Sequence, residues 1–115
     1  MSITIYHNPR CSKSRQTLAL LEENGVTPEV VLYLSDTPSA KELSDIIKKL
    51  GISARELLRK KESEYAELNL KDESLSDSAL IKAMVEHPKL IERPIVVKGQ
   101  KAVLGRPPEN ALELL

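Results

Sequence analysis

The chain has 115 residues, and its 17 Lys and Arg balance 17 Asp and Glu; that is enough chain for one core, and it leaves no net charge to draw it to nucleic acid or an acidic membrane. It contains no Trp or Phe, three Tyr and one Cys, so no base-stacking platform is visible, an internal disulfide is excluded and a structural metal site is not expected. Any anion must therefore be held by cations gathered locally. No apolar run reaches membrane-spanning length and no signal peptide precedes Ile3, so a cytoplasmic address is expected, where the reducing poise keeps Cys11 a free thiol.

Residues 2–6 read as a buried strand. A helix is predicted over about 12–24, with Leu18 and Leu21 inward and Gly25 just beyond its C-terminus. Glu29 to Tyr33 reads as a second strand, giving a β-α-β opening with parallel pairing. The middle is helical. Ser39 and Glu42 form a capping-box pattern before Leu43, Ile46, Ile47 and Leu50 at helical spacing, and Ser53 and Glu56 repeat it before Leu57 and Leu58. Residues 61–75 are charged and poorly periodic, a short helix and a loop. Ser76 caps a helix carrying Leu80, Ile81, Met84 and Val85, which His87-Pro88 stops. Ile95 to Val97 and Ala102 to Leu104 flank Lys98-Gly99-Gln100-Lys101 as a β-hairpin. Gly105-Arg106-Pro107-Pro108 breaks the strand, and Pro108 starts a final helix. The order is βαβ, helices, then ββα: one α/β domain over 1–115 with a helical insertion at about 38–88.

Cys11 falls where the first strand hands over to the first helix, within His7-Asn8-Pro9-Arg10-Cys11-Ser12-Lys13-Ser14-Arg15. Free N–H groups and the positive end of the helix dipole favour a thiolate there. A lone cysteine is often only a small buried hydrophobe; against that reading stand the helix-start position, the cations His7, Arg10, Lys13 and Arg15, and two serines able to donate hydrogen bonds. His7 is open to two roles, holding the thiolate or orienting the loop. Arg59, Arg93 and Arg106 are scattered cations, each simplest as a surface arginine. Arg93 precedes Pro94 at a strand entrance and Arg106 leaves the hairpin, so both can face one end of the sheet, and arginine's planar fork suits a tetrahedral oxyanion.

The pattern Tyr6-His7-Asn8-Pro9-x-Cys11-x-x-Ser14-Arg15 resembles the active-site loop of the glutaredoxin-coupled arsenate reductases. Leu57-Leu58-Arg59-Lys60, Glu92-Arg93-Pro94-Ile95-Val96-Val97 and Arg106-Pro107 are similar to the same family in the same order, and the likeness is greatest to its small YfgD-type oxidoreductases. The resemblance implies a thioredoxin-like fold with a cis bond before Pro94. It implies Cys11 as the nucleophile and Arg59, Arg93 and Arg106 as the arginines that hold the oxyanion and stabilise the thiolate, with His7, Asn8, Ser14 and Arg15 supporting the loop. It implies no bound cofactor; glutathione is the co-substrate and glutaredoxin the protein partner, which fits a chain whose second thiol must come from outside.

The sequence departs from the family at Arg10 and Ser12-Lys13, where the reductases usually carry Ala before the cysteine and Gly-Thr after it. The two added cations are expected to lower the thiol pKa further and enlarge the anion site. Two alternatives stay open: a glutathione mixed-disulfide oxidoreductase, and a non-enzymatic Spx-like regulator that binds RNA polymerase. Spx-type proteins carry a Cys-x-x-Cys switch, and here Ser14 stands at the second position.

Overall fold

The computed structural model describes residues 2–115. They divide into two compact units, one formed by residues up to 36 with 93–115 and the other by 37–92.

The first unit carries a four-stranded sheet in the order β2-β1-β3-β4. Strand β1 is Ile3–Tyr6, β2 Glu29–Val31, β3 Ile95–Lys98 and β4 Lys101–Leu104. β1 runs parallel to β2 and antiparallel to β3, and β3 and β4 form the hairpin around positive-φ Gly99. Ile3 and Ile5 alternate with Thr4 and Tyr6 as the pleat requires, so the two isoleucines face the core with Leu21, Val96, Ala111 and Leu114. Each buried Ile, Leu or Val of this set contributes roughly 1.5–3 kcal/mol by leaving water. Helix α1, Ser12–Glu23, buries Ser14, Thr17 and Leu21 along one stripe, and Leu18 packs at its edge. Its inward face is therefore polar near Cys11 and apolar further on.

Two elements differ from the sequence reading. β2 stops at Val31 rather than Tyr33, because β1 ends at Tyr6 and offers Leu32 no partner; the His7 N–H closes the ladder on the Val31 carbonyl at 2.8 Å. Leu32 then starts a turn whose carbonyl accepts from the N–H groups of Ser35 and Asp36. The final segment, Pro108–Leu114, is a 3₁₀ helix rather than an α-helix. Bonds such as Asn110 N–H to the Pro107 carbonyl tighten it, and Ala111 and Leu114, three apart, share its buried side.

The second unit contains α2 (Ala40–Leu50), α3 (Ala54–Leu57), α4 (Ser63–Glu67), α5 (Asp77–Glu86) and a 3₁₀ turn at Pro88–Leu90. Both predicted capping boxes form: the Ser39 and Ser53 hydroxyls accept from the Glu42 and Glu56 N–H groups, while those glutamates accept from the serine N–H groups. Leu43, Ile46 and Ile47 of α2 are buried, as are Leu57, Leu80 and Met84. The charged 61–75 stretch is pinned by Arg55, whose guanidinium donates to the Leu70 and Asp72 carbonyls at 2.7 and 2.8 Å. Among the described residues no helix is long and apolar enough to cross a membrane.

Ser39→Ala removes the hydroxyl that satisfies an N-terminal donor of α2. It should lower unfolding stability by about 0.5–2 kcal/mol, read as a lower urea midpoint at unchanged slope.

Candidate active site

The strand register converges the candidate residues of the first unit. Tyr6 pairs with Ile95, and Ile95 with Leu104. The loop that follows β1, the residues that precede β3 and those that follow β4 therefore emerge at one end of the sheet. Cys11 lies on the first, Arg93 on the second and Arg106 on the third.

The thiol loop is held by its own backbone and by Ser14. The Asn8 carbonyl accepts from the Cys11 N–H at 3.0 Å, and Asn8 Oδ1 accepts from the Arg10 N–H at 3.0 Å. Asn8 N–H donates to Ser14 Oγ at 3.0 Å, and the same oxygen is bonded to His7 Nδ1 at 2.6 Å. Ser14 is fully buried and His7 is 6% exposed. Arg15 reaches back to donate to the Pro9 carbonyl at 2.8 Å. Burial, and then the Arg15 charge, hold the His7 pKa below its ordinary value, which keeps the ring neutral near pH 7. Of the two roles open to His7, the geometry supports the second: it orients the loop through Ser14.

Cys11 is the N-cap of α1, with extended backbone (φ −94°, ψ 123°), and as a thiol it makes no capping hydrogen bond. It is 9% exposed. Burial pushes its pKa up; the Ser14 N–H, the Arg93 charge, the Lys13 N–H and the Arg106 charge pull it down and together prevail. The thiolate is thus favoured by helix N-terminal donors and by two arginines brought from the far end of the chain. The charges that weigh most on the thiol are those of Arg93 and Arg106, and Lys13 contributes its backbone N–H. The side chains of Arg10, on the loop, and Lys13, in the first turn of α1, are exposed.

What brings the two arginines there is a packing node that the sequence reading did not identify. Gly105 N–H donates to the Pro94 carbonyl at 2.9 Å, and the Thr17 hydroxyl lies 2.8 Å from the Lys13 carbonyl and 3.1 Å from the Gly105 carbonyl. A Cβ on Gly105 would come within 2.7 Å of Thr17 Oγ1 and 2.8 Å of Pro94 Cγ. The Arg93–Pro94 and Arg106–Pro107 bonds are both cis, and an Arg106 guanidinium nitrogen approaches the Arg93 carbonyl at 3.4 Å. Asn110 Nδ2 holds the turn by donating to the Leu104 and Arg106 carbonyls. The available signal was a glycine between an apolar strand and Arg-Pro-Pro, and a threonine on the inward stripe of α1.

Arg59 belongs to the second unit. Its backbone N–H donates to the Leu90 carbonyl beside the Leu58–Ile91 bridge, and its side chain pairs with Glu62 at 2.7 Å and Glu92 at 3.8 Å. Among the described residues no cluster of His, Cys, Asp and Glu is grouped to hold a metal ion.

Residues 6–114 match the profile of the ArsC family. The chain belongs to that family. It is 64% identical to the uncharacterized protein YfgD of Escherichia coli K12, over 98% of this chain and 96% of the relative. It is 55% identical to an arsenate reductase of Haemophilus influenzae, with both chains covered in full. The solved arsenate reductase from Vibrio cholerae superposes with a TM-score of 0.97 at 58% identity, over 100% of this chain and 98% of that one. The ArsC fold of this chain is the thioredoxin-like α/β architecture of those structures.

Two outcomes are expected at this site. Arg93→Ala removes a positive charge that favours the thiolate, so the midpoint of Cys11 alkylation by iodoacetamide against pH should move upward; an unchanged midpoint would show that Arg93 does not act on the thiol. His7, whose folded pKa lies below the ordinary 6.5, binds a proton in the unfolded chain before it does in the folded one. The stability this gives is complete above 6.5 and is lost as pH falls through the folded value. His7→Gln should flatten that part of the urea-stability profile against pH, whose slope from one proton is at most about 1.4 kcal/mol per pH unit.

Proposed function

We propose that this ArsC protein is an arsenate reductase in which Cys11 is the nucleophile and glutathione and glutaredoxin supply the electrons. The observation that carries the reading is a nearly buried thiol at a helix N-terminus, its pKa lowered by two N–H groups and by Arg93 and Arg106. Those arginines converge through the sheet register, and their planar forks suit a tetrahedral oxyanion. Arg59 is assigned to the same anion through the family resemblance alone. Arsenate reductases of 55% and 58% identity support the choice of substrate.

The proposed chemistry runs in three steps. Cys11 Sγ attacks arsenic and an S–As(V) bond forms, while one arsenate oxygen takes up protons and leaves as water. A glutathione thiolate then attacks Cys11 Sγ. The S–As bond breaks with its electron pair on arsenic, which departs as arsenite, and a Cys11–glutathione disulfide remains. A glutaredoxin thiolate attacks the glutathione sulfur of that disulfide and releases the Cys11 thiolate. The protein needs no bound cofactor for this sequence, and the glutathione pool that drives it is cytoplasmic.

Purified protein with glutathione, glutaredoxin and glutathione reductase should oxidise NADPH only when arsenate is added. Cys11→Ser should abolish that dependence while leaving the fold intact by circular dichroism. Wild-type protein that shows no arsenate-dependent oxidation would refute the arsenate reading.

A further inference from the structure

Residues 2–21 and 93–108 contain no Asp or Glu, although the whole chain is neutral. Around the thiol loop these segments place Arg10, Lys13, Arg15, Arg93 and Arg106. Three of the five have work assigned by the geometry. Arg93 and Arg106 act on the thiol; Arg15 holds the Pro9 carbonyl and presses on His7. Arg10 and Lys13 do not. They flank Cys11 one residue before and two after it, both exposed, and neither forms an ion pair among the described residues. Two exposed cations with no ion pair among the described residues face whatever approaches the thiol. Because Cys11 is only 9% exposed, the approaching sulfur must come on a slender, unbranched arm, which a small molecule provides.

We infer that Arg10 and Lys13 form a recognition site for the carboxylates of the small thiol or disulfide that exchanges with Cys11, and so select an anionic reactant over a neutral or cationic one. This deepens the proposed reading and rests on Cys11 being a reactive thiol. In the exchange, Cys11 thiolate attacks one sulfur of a disulfide, a new S–S bond forms, the old one breaks, and the other half leaves as a thiolate. Exposed charges contribute little each, but two acting together on a doubly charged reactant raise its local concentration measurably at low ionic strength.

The test measures exchange rates of wild type and Arg10→Ala/Lys13→Ala with oxidised glutathione, 2-hydroxyethyl disulfide and cystamine, by mass shift on Cys11. The quantity read is the ratio of the anionic rate to the neutral and cationic rates, in which any change in the thiol's own reactivity cancels. The double variant should lower that ratio about three- to tenfold, and added salt at roughly half-molar should bring wild type close to the variant. A reactive thiol whose ratio is the same in both proteins overturns this inference alone. A Cys11 that reacts with none of the three overturns it together with the reading it rests on.

Discussion

Gly105 lies against Thr17 and the ring of Pro94 so closely that a single added carbon would come within 2.7 Å of the threonine oxygen. That approach lets β4 leave the sheet directly beneath the first turns of α1, with the Gly105 N–H on the Pro94 carbonyl and the Thr17 hydroxyl near the Gly105 carbonyl. Residues on either side of this node are those that matter to the thiol. Arg93 precedes Pro94, Arg106 follows Gly105, and Thr17 sits one turn beyond Lys13 and Ser14. Backbone packing at one small residue thus sets the position of two charges that come from distant parts of the chain.

The electrostatics of Cys11 follow from that placement. Burial raises the pKa and is the largest single influence; each opposing one is smaller, two N–H groups of the first helical turn and two guanidinium charges. Their alignment on one sulfur lets them prevail. His7 contributes by remaining neutral. Buried and bonded to Ser14, it fixes the loop without adding a charge, and Ser14 in turn satisfies the Asn8 N–H. The hydroxyl at the position where a Cys-x-x-Cys protein has its second thiol is thereby committed to the scaffold.

The loop separates two kinds of cation that look alike in sequence. Arg93 and Arg106 act on the sulfur from the strand ends, whereas Arg10 on the loop and Lys13 in the first turn of α1 are exposed. The charges with the largest effect on the thiol come from far along the chain, at Arg93 and Arg106.

Much of the architecture was legible from pattern. Capping serines with glutamates three residues on, apolar residues at helical spacing and a glycine turn between two apolar runs are local signals, and each element they mark is present. The ends of elements were less legible. β2 closes at Val31 because its neighbour ends, and the last segment tightens to 3₁₀ geometry to bury Ala111 and Leu114 together. By itself the sequence determined that there is one thiol, that it caps a helix, and that an acid-free stretch surrounds it, because these depend on neighbours along the chain. Only the tertiary structure decided which cations act on that thiol, what role His7 has, and why residue 105 is glycine. Those depend on strand register and on atoms brought within a few ångströms from opposite ends of the polypeptide.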